Sequence, residues 1–250
     1  GHGGAGRAFL ERFHPVVRQI ALVAHGFGKA LQPAQRLGGF GRVFADSPFR
    51  TFIAAFTLNQ VSAAIIWVLL SAHAKINYGL PENLYGFIPM TNALMVVLFQ
   101  TAVTRQTRRR APLPVLALGS LLYGLAAASV ALGRGFWGFW ASMVVMTIGE
   151  LMLMPTASTY TANRAPADMR GRYMAVFGLT WYAAQGLGPL AGGLLSTAAA
   201  SLAQTAPLGS LAASLQPAAP WLLGGLTGLA AALSFLRLAR RAAAAQSTIS

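Results

Sequence analysis

The sequence predicts an all-α, polytopic membrane protein with six transmembrane helices. Apolar residues make up 55% of the 250-residue chain and charged residues only 10%, well below the roughly 25% charged residues of a typical soluble domain. The apolar residues occur in long runs, and the basic residues stand in short bursts between those runs. Six of these runs reach about the 20 residues that a helix needs to cross the hydrocarbon core of a bilayer.

The six predicted spans are free of Lys and Arg, and only the fourth contains an acidic residue. They cover about residues 51–74, 84–103, 113–132, 136–160, 173–199 and 218–236. Together with their connections they form a predicted membrane domain at residues 49–241. A cytoplasmic arm at 1–48 precedes this domain, and a cytoplasmic tail at 242–250 follows it.

The arm contains one segment with the pattern of an amphipathic helix. Phe9, Phe13, Val16 and Ile20 recur near helical spacing, with charged residues on the other faces, which predicts a helix lying on the inner leaflet. Glycines after residue 25 favour a flexible linker. The alternative is that the whole arm is a partly disordered linker of a longer protein.

Basic residues predict the orientation, because cytoplasmic loops carry an excess of Lys and Arg. With the N-terminus inside, 17 of the 19 basic residues are cytoplasmic and only Lys75 and Arg134 are external. Both termini are therefore predicted to be cytoplasmic. The arginines expected to hold the cytoplasmic loops are Arg105, Arg108, Arg109, Arg110, Arg170 and Arg172.

Composition also argues against other functional classes. The net charge of +14 would suit a nucleic-acid-binding protein, but such proteins cluster their charges on one helix or stripe, so no nucleic-acid partner is predicted. The chain has no Cys, four His and only five acidic residues, and no Gly-rich segment continues into a phosphate-binding loop. We therefore predict no enzymatic activity, no metal site and no cofactor.

Glu150 is the residue most indicative of function, because an ionisable group inside a membrane span is costly and marks a functional site by default. It could couple transport to protons or recognise a cationic substrate. The alternative is a structural Glu that stays neutral and hydrogen-bonds to a neighbouring helix. No predicted span supplies a Lys or Arg to neutralise it, so its partner is a polar side chain, a proton, a ligand or a group from another chain.

Further residues of the spans could line a substrate cavity or shape the helices. The cavity candidates are Asn59, Gln60, Asn92, Trp181 and Gln185, with Gln100 as another polar residue of the second span. Their alternative role is hydrogen bonding and packing between helices. Pro155 removes a backbone hydrogen bond and is expected to kink the fourth span. The residues expected to bend the fifth span or pack it closely are Gly188, Pro189, Gly192 and Gly193.

Over about residues 42–240 the chain resembles the C-terminal half, spans seven to twelve, of major facilitator superfamily transporters, in particular drug-efflux-like members. Asp46-Ser47-Pro48-Phe49 resembles the end of that family's central cytoplasmic loop. The basic loop at 104–110 lacks the Gly and Asp of the family's fuller loop motif. The segments that carry the resemblance are Thr147-Ile148-Gly149-Glu150 with Pro155, Ala165-Pro166 with Arg170-Gly171-Arg172-Tyr173-Met174, and Trp181 with Gly188-Pro189 and Gly192-Gly193.

The resemblance implies one half of a secondary active transporter in a bacterial inner membrane, a multidrug-type antiporter. In this family the substrate path lies between two six-helix halves near the midplane of the bilayer. The implied function is proton-coupled export of small amphipathic molecules by alternating access. The implied partners are the bilayer, a small-molecule substrate, protons, and an N-terminal six-helix half or a second copy. The alternative is a truncated or split membrane protein without transport activity, acting as a structural or interaction partner.

Overall fold

The computed structural model describes residues 39–204 and 216–247 of the chain. Within these ranges there are eight helices and no strand, which confirms the all-α prediction for this part of the protein. The helices are α1 (Phe40–Ala45), α2 (Ser47–Tyr78), α3 (Glu82–Tyr85), α4 (Phe87–Thr107), α5 (Pro112–Leu132), α6 (Gly135–Arg164), α7 (Arg170–Ala203) and α8 (Ala219–Ser247).

Five helical stretches of the described ranges are long and apolar enough to cross a membrane, and they correspond to five of the six predicted spans. They are Ser47–Tyr78, Glu82–Thr107, Pro112–Leu132, Gly135–Arg164 and Ala219–Ala245. The remaining predicted span, 173–199, lies in α7, which has 34 residues and is long enough but is not among the five. The crossing of a membrane by this fifth predicted span therefore stays a prediction.

Helix α2 begins and ends at residues suited to those positions. The Asp46 carboxylate caps its start by accepting a hydrogen bond from the Phe49 amide at 3.2 Å, and a Pro lies in the first turn, where no N–H is needed. The helix ends at Gly79, whose φ of 61° is left-handed, a conformation that glycine adopts at least cost. The helix extends beyond the predicted boundary, so Lys75 lies in its last turns and pairs with Glu82 of α3.

The bundle is packed most closely where α5 lies against α8 and α6, and α8 also packs along α2. Helices α5 and α8 cross at glycines, because a Cβ atom on Gly228 would lie 2.5 Å from the Cα atom of Gly124. Small residues at such crossings let membrane helices approach. Helix α6 packs against α5 and α4, and α7 packs against α2.

Aromatic rings join four helices at the end of the bundle where α2 begins. The ring of Phe52 on α2 lies 4.7 Å from Tyr160 of α6, 6.3 Å from Phe177 of α7 and 5.9 Å from Phe235 of α8, measured between centroids. Such contacts contribute beyond simple burial. This end of the bundle also carries the arginine-rich turns.

Helices α4 and α7 carry large apolar side chains on the surface of the described bundle. On α4, Val97 is 79% exposed and Leu98 67%; on α7, Leu190 is 60% exposed and Leu194 62%. Contiguous exposed apolar surface of this kind marks contact with lipid or with another protein.

Two parts of the sequence-based prediction lie outside the described residues. They are the amphipathic segment between residues 9 and 20 and most of the connection between the fifth and sixth predicted spans. The division into arm, membrane domain and tail also stays a prediction.

Candidate functional site

Glu150 lies near the middle of α6 and forms a hydrogen bond with α4. The Nδ2 atom of Asn92 donates to Glu150 Oε2 at 2.7 Å and to Thr147 Oγ1 at 3.0 Å. Asn92 is 8% exposed and Thr147 is fully buried. Two residues that the sequence predicted for the site are therefore in direct contact on neighbouring helices.

Gly149 sets the direction in which Glu150 points. A Cβ atom on Gly149 would lie 2.8 Å from the carbonyl oxygen of Gly119 and 3.1 Å from Leu122 Cβ, so α6 lies directly against α5 at this position. Successive residues of a helix are about 100° apart around its axis. Glu150 is therefore turned from α5 toward α4, where Asn92 lies.

Thr147 fixes the Asn92 amide beside Glu150. Its hydroxyl donates to the carbonyl oxygen of Met143 at 2.8 Å, so its lone pairs remain free to accept from Asn92. An amide nitrogen carries two hydrogens, one for Thr147 and one for Glu150. A hydrogen bond to an ionised carboxylate is roughly twice as strong as one between neutral groups, so the proton on Glu150 alters the strength of the contact between α4 and α6.

A second polar contact between α4 and α6 involves Pro155. Proline has no N–H, so the carbonyl of Leu151, four residues earlier, receives no hydrogen bond from it. The Nε2 atom of Gln100 donates to this oxygen at 3.1 Å and to Thr104 Oγ1 at 3.0 Å. The sequence identified Gln100 only as a polar residue. The signal for its role was a Gln in a span beside one that contains proline.

A third contact extends this polar interface along the two helices. The Nε1 atom of Trp140 donates to Thr91 Oγ1 at 2.9 Å. Position 91 of α4 thus meets 140 of α6, and position 100 meets 151, so the two helices run in the same direction. Glu150 and Asn92 lie between these outer contacts, in the central part of the interface.

The other four predicted cavity residues lie on α2 and α7. On α2, Asn59 and Gln60 are buried, and Asn59 Nδ2 donates to Gln60 Oε1 at 3.3 Å. The Oδ1 atom of Asn59 and the Oε1 atom of Gln185 are buried without a partner among the described residues. Trp181 is 38% exposed. In the described part of the chain, no hydrogen bond links these residues to Glu150.

The glycines of α7 differ in their surroundings. A Cβ atom on Gly188 would lie 3.1 Å from Ala64 Cβ, and one on Gly192 would lie 3.1 Å from Leu69 Cδ1, so both face α2 closely. No atom lies within 4 Å of the corresponding point at Gly193. Pro155 and Pro189 each lie inside a continuous helix, α6 and α7.

An ion pair that the sequence did not predict joins three helix ends. Arg164 donates through Nη2 to Asp46 Oδ1 at 2.6 Å and through Nε to Asp46 Oδ2 at 2.9 Å, and the Tyr173 hydroxyl donates to Oδ2 at 3.0 Å. We call these three residues the Asp46 clamp. The bidentate geometry is the most specific that Arg forms with a carboxylate. The sequence feature that could have placed Asp46 at a helix end was Asp-Ser-Pro, a typical helix start.

The clamp also changes the acidity of Asp46. Partial burial by itself raises the pKa of the carboxyl, but hydrogen bonds from Arg164, the Phe49 amide and Tyr173, with the charge of Arg164, lower the pKa below its ordinary value of 3.8. Asp46 is therefore ionised at neutral pH and holds α2, α6 and α7 together.

The predicted loop arginines lie near the clamp end of the bundle, at the ends of α4 and α7. Most are exposed, as is usual for basic residues that set topology. The exposed set is Arg105, Arg108, Arg109, Arg110 and Arg170, and Arg172 is half-buried. Among residues 39–204 and 216–247 no group of three or more His, Cys, Asp or Glu side chains is placed to hold a metal ion.

Comparisons with known proteins place this geometry in a family. The family model described as Major Facilitator Superfamily matches residues 52–249. A solved structure, described as a POT family transporter in complex with a thioalcohol-conjugated peptide, superposes with a TM-score of 0.58 at 17% identity. The superposition covers 92% of this chain and 54% of that one. At this identity the likeness concerns the fold alone.

Two curated relatives match a shorter stretch. The uncharacterized MFS-type transporter YhjO of Bacillus subtilis (strain 168) is 32% identical over 105 residues, which is 42% of this chain and 26% of that protein. A Na(+), Li(+), K(+)/H(+) antiporter of Planococcus maritimus is 29% identical over 109 residues, 44% of this chain and 26% of that protein. The match thus spans about a quarter of each relative. Since the family match covers most of the chain and five helices can cross a bilayer, this multi-pass integral membrane protein belongs to the major facilitator superfamily.

Proposed function

We propose that the chain is one six-helix half of a secondary active transporter that is coupled to protons through Glu150. Membership of the superfamily supports transport as the general function. The observation that carries the coupling role is the 2.7 Å hydrogen bond between Asn92 Nδ2 and Glu150 Oε2. It places a carboxyl at a contact between two membrane-length helices, with no basic partner among the described residues.

Protonation of Glu150 couples to helix position through this bond. The ionised carboxylate accepts a charge-assisted hydrogen bond from Asn92, which holds α4 against α6. When the carboxyl takes up a proton, the bond weakens and the two helices separate at lower cost. Substrate binding in one conformation then favours proton release, and the linkage between the two ligands is reciprocal.

We further propose a C-terminal half with six spans, 173–199 being the fifth, and with both termini cytoplasmic. The exposed apolar faces of α4 and α7 support contact with another half, because exposed apolar surface of this size marks contact with lipid or with another protein. The superposition on about half of the solved transporter supports the same arrangement. The partner is an N-terminal six-helix half or a second copy. The relatives' bacterial origin supports location in a bacterial plasma (inner) membrane.

The proposed substrates are small amphipathic molecules, exported as in drug-efflux-like members by multidrug-type antiport. Asn59, Gln60, Asn92, Trp181 and Gln185 are the proposed cavity residues. A second candidate substrate is an alkali cation, because the Planococcus relative is described as a Na(+), Li(+), K(+)/H(+) antiporter and a carboxylate such as Glu150 suits a cation. A chain that only assembles with a partner and transports nothing is the remaining alternative.

Everted membrane vesicles containing both halves test these proposals. We expect a pH gradient to drive uptake of a lipophilic cationic dye, and Glu150→Gln to reduce this uptake to background. Glu82→Gln is the matched control, because Glu82 is an exposed acid that pairs with Lys75 at the end of the bundle away from the Asp46 clamp. Unchanged proton-driven uptake in Glu150→Gln would rule out the coupling role of Glu150. Sodium-driven proton movement without dye transport favours the alkali cation, and activity in neither assay favours the non-transporting alternative.

A further inference from the structure

A cavity of about 230 Å³ lies between the ends of α4 and α6 that adjoin the arginine-rich turn. It is many times larger than the roughly 30 Å³ that one water occupies and smaller than the roughly 300–1,000 Å³ of pockets for drug-sized ligands. Its size suits a small polar group. The polar residues that line it include Arg108, Arg110, Thr159, Tyr160 and Asn163.

Several hydrogen-bond donors of this cavity have no acceptor within the described chain. Thr107 and Thr156, which also line it, donate to backbone carbonyls of their own helices. The side chains of Thr159, Tyr160 and Asn163 form none of the hydrogen bonds found among the described residues. A ligand rich in acceptor oxygens would satisfy these donors.

The two arginines of the cavity also have no anionic partner among the described residues. The four described acids are engaged elsewhere: Asp46 with Arg164, Glu82 with Lys75, Asp168 with Arg42, and Glu150 with Asn92. No described carboxylate lies within 4.0 Å of Arg108 or Arg110. Their positive charges are therefore available to an anionic ligand.

We propose that the cavity binds the phosphate group of an anionic phospholipid. It lies at the ends of membrane-length helices, at the level where headgroups are found, and on the side with the excess of arginine. Basic pockets between helices on the cytoplasmic side bind such headgroups. The guanidinium fork matches phosphate oxygens, and the Thr159, Tyr160 and Asn163 donors complete the coordination. This site is separate from Glu150 and does not depend on the transport proposal.

A tail-labelled phosphatidylglycerol, titrated into the 250-residue chain in neutral detergent, tests the proposal. We expect saturable binding that Arg108→Ala/Arg110→Ala weakens roughly 30-fold, because each arginine near the headgroups contributes about a fivefold factor. Arg105→Ala/Arg109→Ala is the matched control: it removes the same charge from the same segment, but neither residue lines the cavity. This control should keep most of the binding.

Competitors identify the source of the phosphate. Unlabelled phosphatidylglycerol displaces the probe, whereas phosphatidylcholine at the same concentration does not. Inorganic phosphate binding as tightly as the lipid would overturn the assignment to a lipid. Equal losses in the two double variants would also overturn it, because the binding would then follow net charge. If Arg108→Ala/Arg110→Ala does not fold, Thr159→Val/Tyr160→Phe keeps both arginines, and unchanged affinity in that variant contradicts the site.

Discussion

The hydrogen bond from Gln100 to the Leu151 carbonyl contributes to the free energy of unfolding by an amount that depends on Pro155. This dependence gives a specific prediction. With Pro155 present, the Leu151 carbonyl has no donor from its own helix at position 155, and Gln100 supplies one. Gln100→Leu should therefore destabilise the chain. In a Pro155→Ala background the same substitution should cost much less, because alanine supplies the missing backbone N–H.

The expected size follows from the contacts that are lost. A buried carbonyl left without a partner costs about 1–3 kcal/mol, whereas a side-chain hydrogen bond between membrane helices averages about 0.6 kcal/mol. Gln100→Leu loses the bonds to Leu151 and Thr104, which gives about 1–2 kcal/mol. In the Pro155→Ala background only the Thr104 bond is lost, so the coupling energy between the two positions is about 1 kcal/mol.

A double-mutant cycle on the purified chain measures this coupling. The free energy of unfolding is determined in mixed micelles for the wild type, both single variants and the double variant. Gln106→Leu is the matched control, since Gln106 is exposed on the same helix and should change stability by less than about 0.5 kcal/mol. Additive effects of the two substitutions, with a coupling energy near zero, would refute the explanation for Gln100.

Two further predictions concern the clamp and the helix crossings. Asp46→Asn should destabilise the protein by about 1 kcal/mol. Because the folded pKa of Asp46 is lowered, this difference is fully present well above pH 3.8 and is lost as the pH falls through the folded pKa, as unfolding curves measured from pH 7 downward would show. A difference that does not decline at all as the pH is lowered below 3.8 would argue against the ion pair with Arg164. Gly228→Ala should destabilise the protein by about 1–3 kcal/mol, because the new Cβ would meet the Gly124 backbone. Gly193→Ala is the control: its Cβ would enter open space, so the substitution should be neutral or slightly stabilising. Equal effects of the two substitutions in thermal unfolding would contradict the close crossing of α5 and α8.

The helical architecture was predictable because the bilayer imposes a length and a composition on each span. The uninterrupted apolar runs identified the helices, and Gly79 and Asp46 sit at the ends of α2 as their chemistry requires. The predicted span at 173–199 lies within one continuous helix, α7, but its crossing of a membrane stays a prediction.

The site was predictable only in part, because its contacts join residues far apart in the chain. A lone acid in a span pointed to Glu150, but the sequence could not pair it with Asn92, 58 positions away. The roles of Gln100 and Arg164 likewise depend on which helices are neighbours. Hydrophobic patterns report which residues are buried in a span, and they do not report which face of one helix meets which face of the next.

The proton on Glu150 is proposed to control the contact between α4 and α6. The chain has no Cys, so spin labels on two introduced cysteines at exposed Leu94 and Ile148 report the distance between these helices alone. We expect a distance distribution that changes between pH 5 and pH 9 in this background and stays constant when Glu150→Gln is added. A distribution that ignores pH with Glu150 present, or that shifts equally in Glu150→Gln, would contradict it.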